Sequence, residues 1–345
     1  MISKNFFCSL FLILCFAGAL VSYSEEAIPT CSVGAANGES PGLFKLEGKA
    51  YQIKDLPIAF KQSIYDADSQ HFEQVKGIID AVVLDIYLQD EAKKKKKTKE
   101  QIEQELFKAK KPTEKDAKAW YEKNKERIPY PYDKIKDEII RIIESEEGRN
   151  KKAELLNKIK SKRQFSLILS APEAPVAEIK SDNFPTKGNK GAKVKIIEFA
   201  DYQCGHCKAA SGILKKLTEK YKDTVQFVFM DFPLRAQGPS WDHAIAGHCA
   251  GEQGKFWEFH YMAFEEKGLT ADTPVAFAGK LGLNVDQFKK CLSSPKPVEI
   301  VKASRAEGER IGVAGTPAIY INGQKMSDYA EEHLEKEIEL AQKKK

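Results

Sequence analysis

Ile196-Ile197-Glu198-Phe199-Ala200-Asp201-Tyr202-Gln203-Cys204-Gly205-His206-Cys207-Lys208 is the stretch that decides the fold. Val194 to Phe199 is an apolar, β-branched run that reads as a strand. It leads into a Cys-x-x-Cys pair that opens a predicted helix over Cys207 to Tyr221. A helix start offers unpaired backbone N–H groups and the positive end of its dipole, so the sulfur of Cys204 is expected to be held as a thiolate. His206, between the two cysteines, adds a donor or a positive charge beside it. Both effects stabilise the reduced thiolate, lower the expected pKa of Cys204 and make the disulfide a better oxidant. Cys207 lies one turn further in and is expected to be more buried. Cys204 is therefore assigned as the sulfur that attacks and is attacked, and Cys207 as the thiol that resolves a mixed disulfide.

The rival reading of Cys-x-x-Cys is half of a zinc site, which needs a second Cys-x-x-Cys or a closely spaced His pair. Cys249 and Cys291 stand alone, and His243 and His248 lie five apart in a different predicted helix. The ligand set is incomplete, so no metal and no cofactor is expected. A purely structural bond between Cys204 and Cys207 is also a poor reading, because closing so short a loop restricts the unfolded chain little.

Working outward, Val225 to Met230 reads as a second strand, and helices rich in Ala, Phe and Trp fill about residues 240 to 312. Ala318 to Ile321, the turn Asn322-Gly323 and Gln324 to Met326 read as a hairpin. A last helix runs from about Tyr329 to Lys343-Lys344-Lys345, whose charges suit the negative end of the helix dipole. Upstream, Phe165 to Leu169 is a short apolar run, and Ala171-Pro172-Glu173-Ala174-Pro175 breaks regular structure as a linker would.

Before that linker the period is helical. Phe72, Val75, Ile78, Ile79, Val82, Val83 and Ile86 recur at three- and four-residue steps and make one apolar stripe. Lys93 to Lys97 reads as a solvated turn between helices, with contact to anionic lipid or acidic clients as the rival. Thr113 is the expected N-cap of the next helix, with Asp116 three residues on. Ile135, Ile139, Ile142 and Ile143, then Leu155, Leu156 and Ile159, continue the pattern; Lys45 to Ile53 is a short strand or hairpin before it all.

At 345 residues two globular domains are the expectation. The net charge of +5 is small for this length, and no base-reading motif accompanies it, so nucleic acid is not an expected partner. Lys4, the apolar run Phe6 to Val21, the small residues around Ala17-Gly18-Ala19 and Ser22-Tyr23-Ser24, and then Glu25-Glu26 read as a signal peptide over residues 1–24. An uncleaved N-terminal membrane tether is the rival, since ~18 apolar residues nearly span a bilayer. A periplasmic or secreted protein follows from either. Of seven cysteines, Cys8 and Cys15 leave with the signal and isolated Cys31 is the odd one over.

The quoted stretch resembles the active-site strand and helix start of DsbA-type thioredoxin-fold proteins. The resemblance continues through Phe227-Val228-Phe229-Met230-Asp231-Phe232-Pro233-Leu234 and Cys249-Ala250-Gly251-Glu252-Gln253-Gly254-Lys255-Phe256-Trp257, and closes at Gly315-Thr316-Pro317-Ala318. It implies an α/β thioredoxin-like fold with an inserted helical domain, over residues 171–345 with the insert at about 240–312. It implies further that Pro317 is the cis-proline facing the dithiol, and that Thr316 and Gly205 help to bind an extended client strand. Glu198, six residues before Cys204, stands where the family has a buried acid, a proton acceptor for Cys207. Gly205 departs from the proline common in the DsbA dipeptide and gives the Cys-Gly-His-Cys of protein disulfide isomerase, so a poise nearer ~−180 mV than ~−120 mV is expected. Oxidase and isomerase or reductase both stay open. Cys249 and Cys291 fall in the implied insert, either as a structural disulfide or as two buried thiols, and export tips the balance towards the bond.

The helices of residues 25–170, with Phe44 to Tyr51 before them and Pro112 to Asn124 among them, resemble the chaperone domain of SurA-type proteins. That implies binding of unfolded exported chains or a homodimer through this half; a spacer that sets the height of the active site is the alternative. The function expected is an exported enzyme that oxidises cysteine pairs in other proteins, with a membrane or soluble redox partner to recycle it. A holdase chaperone with secondary redox activity is the rival of another class.

Overall fold

Two strands rich in β-branched and aromatic residues lie side by side at the centre of the C-terminal half. In this computed structural model, which describes residues 42–108, 110–125 and 128–344, they are β4 (Val194–Ala200) and β5 (Val225–Asp231), paired in parallel. The crossover between them is α5 (Gly205–Lys220). Strand β6 (Ala318–Ile321) pairs antiparallel with β4, and β7 (Gln324–Lys325) with β6 across the Asn322-Gly323 turn. The outer strand β3 (Thr186–Gly188) pairs antiparallel with β5, giving the order β3-β5-β4-β6-β7.

Strand alternation sends successive side chains to opposite faces, and both faces are covered. Val194, Ile196, Ala200, Phe227, Phe229, Ile319 and Ile321 join one core with Cys207, Ala210 and Leu214 of α5. Ile197, Phe199, Val228, Met230, Ala318 and Tyr320 join the other. Five helices stand between β5 and β6: α6 (Pro239–Glu252), α7 (Phe256–Glu265), α8 (Thr273–Lys280), α9 (Val285–Leu292) and α10 (Pro295–Ile311). Cys249 of α6 and Cys291 of α9 are joined as a disulfide across 42 residues of chain. Helix α11 (Glu331–Lys343) returns to the first core through Leu334 and Ile338. Helix α10 crosses the second face closely at Gly308, where a Cβ would lie 2.6 Å from the Phe232 ring.

The N-terminal half is mostly helical. A hairpin of β1 (Phe44–Leu46) and β2 (Lys49–Tyr51) precedes α1 (Ile58–Lys95), α2 (Lys99–Phe107), α3 (Glu114–Asn124) and α4 (Tyr132–Lys162). The lysine run closes α1, with Lys96 left-handed at φ 55°. Thr98 and Thr113 cap the next two helices in reciprocal boxes with Gln101 and Asp116. Burial here is thin: Leu88, Ile102, Ala117, Ile139 and Ile159 are its buried apolar side chains among the described residues. The α1 stripe is only partly covered, with Ile78 63%, Val82 50% and Ile86 51% exposed. Phe165 to Leu169 forms no strand, and Ile168 stands in solvent.

The two halves touch at the start of α1. Ile58 packs into the second core, and Lys325 meets Asp66 at 3.5 Å. Gly312, left-handed at φ 85°, lets α10 end against Ala59, where a Cβ would come within 2.9 Å. The signal peptide and Cys8, Cys15 and Cys31 lie outside the described residues.

Candidate active site

Helix α5 begins at Gly205, two residues earlier than the sequence pattern suggests, and Cys204 is its N-cap. The Cys204 Sγ accepts from the Cys207 N–H at 3.4 Å and donates to the Thr316 carbonyl at 3.3 Å. It is half-buried, whereas Cys207 is sealed in the first core. Both are free thiols. Burial pushes the Cys207 thiol well above its ordinary range, against smaller opposing contributions from the Asp201 backbone and the Thr316 side chain. The Thr316–Pro317 peptide is cis, and β6 follows it directly.

Strand parity places Glu198 on the face of Val194, Ile196 and Ala200, the face that α5 covers with Cys207. Its carboxyl is fully buried with neither oxygen hydrogen-bonded. Burial, and after it the charge of Cys204, raise its pKa to about 8. An acid neutral at pH 7 beside a buried thiol can pass a proton to or from that sulfur. His206 is exposed, and its Nδ1 is hydrogen-bonded to the Tyr329 hydroxyl at 2.7 Å, just before α11.

The structure thus gathers Cys204, Gly205, His206, Cys207, Glu198, Thr316 and Pro317 around one helix start. Cys249 and Cys291 are elsewhere, in the helical insert. A cleft of about 450 Å³ bordered by His248, Phe256, Trp257 and Lys296 includes neither Cys204 nor Cys207. At the dithiol, Cys204 is half-buried and Gly205 and His206 beside it are exposed, while Cys207 lies in the core.

Sequence reasoning assigned no role to several neighbours. Asp201 is buried and accepts from Gln203 N–H at 2.7 Å, from Leu234 N–H at 2.8 Å and from the Ser240 hydroxyl. Tyr202 packs on Phe229 and Phe264 and meets His260 Nδ1 at 3.2 Å; burial depresses that imidazole's pKa to about 3. Asp231, also buried, holds His248 Nε2 at 2.8 Å. Asp201 stands inside the quoted stretch and could have been singled out as a charge at a strand end; Tyr329 carried no such signal.

Residues 180–339 match the thioredoxin family, described as Thioredoxin. With the topology above, the C-terminal half is a thioredoxin-fold domain behind a mostly helical region. Among curated relatives, the chain is similar to the Na(+)/H(+) antiporter NhaA of Herminiimonas arsenicoxydans, 28% identical over 141 residues, covering 41% of this chain and 22% of the antiporter. It is also similar to NhaA 3 of Salinispora tropica, 27% identical over 169 residues, with 47% and 26% covered. The chain spans about a quarter of the length of these curated relatives. No helix among the described residues is long and apolar enough to cross a membrane.

Among solved structures, the thiol-disulfide exchange protein alpha-DsbA2 of Wolbachia pipientis is 25% identical, with 47% of this chain and 89% of that one covered at a TM-score of 0.44. Oxidised BdbD of Bacillus subtilis is 22% identical, with 50% and 100% covered at 0.45. The catalytic domain of Proteus mirabilis ScsC is 22% identical, with 47% and 90% covered at 0.42.

Proposed function

We propose that this chain is an exported thiol–disulfide oxidoreductase that oxidises cysteine pairs in other proteins through Cys204 and Cys207. The observation that carries the reading is the asymmetry of the two sulfurs. Cys204 caps a helix and is half-buried, whereas Cys207, three residues on, is buried on the face that carries a neutral acid.

In the disulfide form, a client thiolate attacks Cys204 Sγ, a client–Cys204 bond forms, and the Cys204–Cys207 bond breaks. Cys207 leaves as a thiolate and is protonated, with Glu198, on the face that α5 covers, the candidate donor. A second client thiolate then attacks the client sulfur and releases Cys204. The client gains a disulfide, and two electrons and two protons stay on the pair. A partner dithiol oxidase, membrane-bound or soluble, must remove them for another cycle. Thr316 carbonyl and amide groups beside cis-Pro317 suit an extended client strand.

Replacing Cys204 by Ser should abolish turnover of a dithiol peptide, and replacing Cys207 by Ser should trap mixed disulfides with a disulfide-bearing client, whose bond the Cys204 thiolate opens and no second thiol resolves. Full turnover by the Cys204→Ser protein would end the proposal. The isomerase or reductase direction has one observation in its favour, Gly205 in place of proline, and trapping the couple in intact cells separates the two: mostly oxidised for an oxidase, mostly reduced for an isomerase. For the helical half, the uncovered Ile78, Val82 and Ile86 favour contact with unfolded chains, the role that resemblance to SurA-type domains implies.

A further inference from the structure

We infer that Asp201 is a positioning residue that locks the turn before Cys204 to the segment Pro233 to Gly238, making the exposed part of that segment, Leu234 to Gln237, one wall of the client site. The inference rests on the reading of Cys204 as the attacking sulfur and adds to it the device that holds that sulfur in place.

Asp201 is the first residue past β4, and every polar group it carries is engaged around the dithiol. Its carbonyl accepts the Cys204 N–H at 3.0 Å. Its own backbone also acts on the Cys207 sulfur, where it opposes the effect of burial. One carboxylate oxygen takes Gln203 N–H at 2.7 Å and the Ser240 hydroxyl; the other takes Leu234 N–H at 2.8 Å. A single buried side chain therefore ties together three pieces of chain: the turn 201–204, the segment after β5, and the first turn of α6. Charge-assisted hydrogen bonds of this kind are short and directional, and losing one partner leaves a buried donor unpaired. The segment so held is exposed from Leu234 to Gln237, with Leu234 51% exposed and its N–H on the same carboxylate that binds the turn leading to Cys204.

Charge and position predict opposite signs. If Asp201 acted only as a nearby negative charge, removing it would favour the Cys204 thiolate and speed its alkylation. If it acts by position, Asp201→Ala frees the turn and slows alkylation of Cys204, because small misplacements of a reacting atom are costly; about tenfold is expected. Asp201→Asn keeps an acceptor for Gln203 and Ser240 but turns an N–H₂ towards Leu234 N–H. It should slow alkylation less than about threefold, while raising KM for a cysteine-containing peptide about as much as Asp201→Ala does.

The experiment measures iodoacetamide alkylation of Cys204 against pH, and kcat and KM for a dithiol peptide, in the full chain carrying each variant. Ser240→Ala, which removes one partner and leaves the carboxylate, is the companion if Asp201→Ala fails to fold, and it should shift both readouts in the same direction. Unchanged or faster alkylation in folded Asp201→Ala, or in Ser240→Ala should the alanine variant not fold, overturns the inference. If Cys204 of the unmodified protein alkylates no faster than Cys207, it is the oxidoreductase reading itself that has failed.

Discussion

Glu198 is a carboxyl without a hydrogen-bond partner in an apolar face, and the cost of ionising it there sets a pH dependence with a definite sign. Its pKa is raised to about 8 in the folded chain, above the ordinary carboxylate range. Between that ordinary value and about 8 the folded state holds a proton that the unfolded chain has released. Folding stability is therefore greatest below the unfolded pKa and falls as pH rises through this window, then levels off above it. Glu198→Gln should flatten the loss, so that its melting temperature exceeds that of the unmodified protein at pH 8 by more than at pH 5. The same variant should slow formation of client mixed disulfides by the disulfide form, because Cys207, pushed up by burial, leaves as a thiolate that has lost its proton donor. Equal melting curves across that pH range would show that Glu198 titrates as an ordinary surface acid.

Among the elements, helix α10 shows what close approach demands. A methyl at Gly308 would meet the Phe232 ring at 2.6 Å and Phe199 at 3.2 Å, and those rings already pack edge to face at 6.3 Å. Gly308→Ala gains about 1 kcal/mol of helix propensity but incurs an overpacking cost of about 1–3 kcal/mol. The clash should win, lowering the melting temperature by a few degrees in calorimetry. Much at this level could be read from the chain. The β-branched run of Val194 to Phe199 marks β4, and Asn322-Gly323 marks its hairpin. With apolar residues on both faces of β4, however, the run does not say that the side of Glu198 is the one α5 covers. Strand β3 could not be found, because Thr186-Lys187-Gly188 has no apolar alternation and owes its place to β5. The His206–Tyr329 bond joins residues 123 apart and leaves no local trace. Periodicity likewise revealed an apolar stripe on α1 but not whether anything covers it.

Across the whole molecule, the two halves differ in how much they bury. The thioredoxin half packs both faces of its sheet, while α1, 38 residues and about 57 Å long, leaves Ile78, Val82 and Ile86 in solvent at four-residue steps. If that stripe receives unfolded chains, Asp at all three positions should at least halve suppression of client aggregation in light scattering. The background is a Cys204→Ser, Cys207→Ser protein, so that covalent capture plays no part. Unaltered scattering would leave the helices as a spacer.

The seat of α1 against Gly312 and Ile58's place in the second core have a consequence for biosynthesis. Residues 58 and 59 emerge early, yet the surface that receives them is completed only once residue 312 and the strand after it have been made. The helices of the first half can pack on one another as they emerge, but the contact that moors them to the second half waits through most of translation.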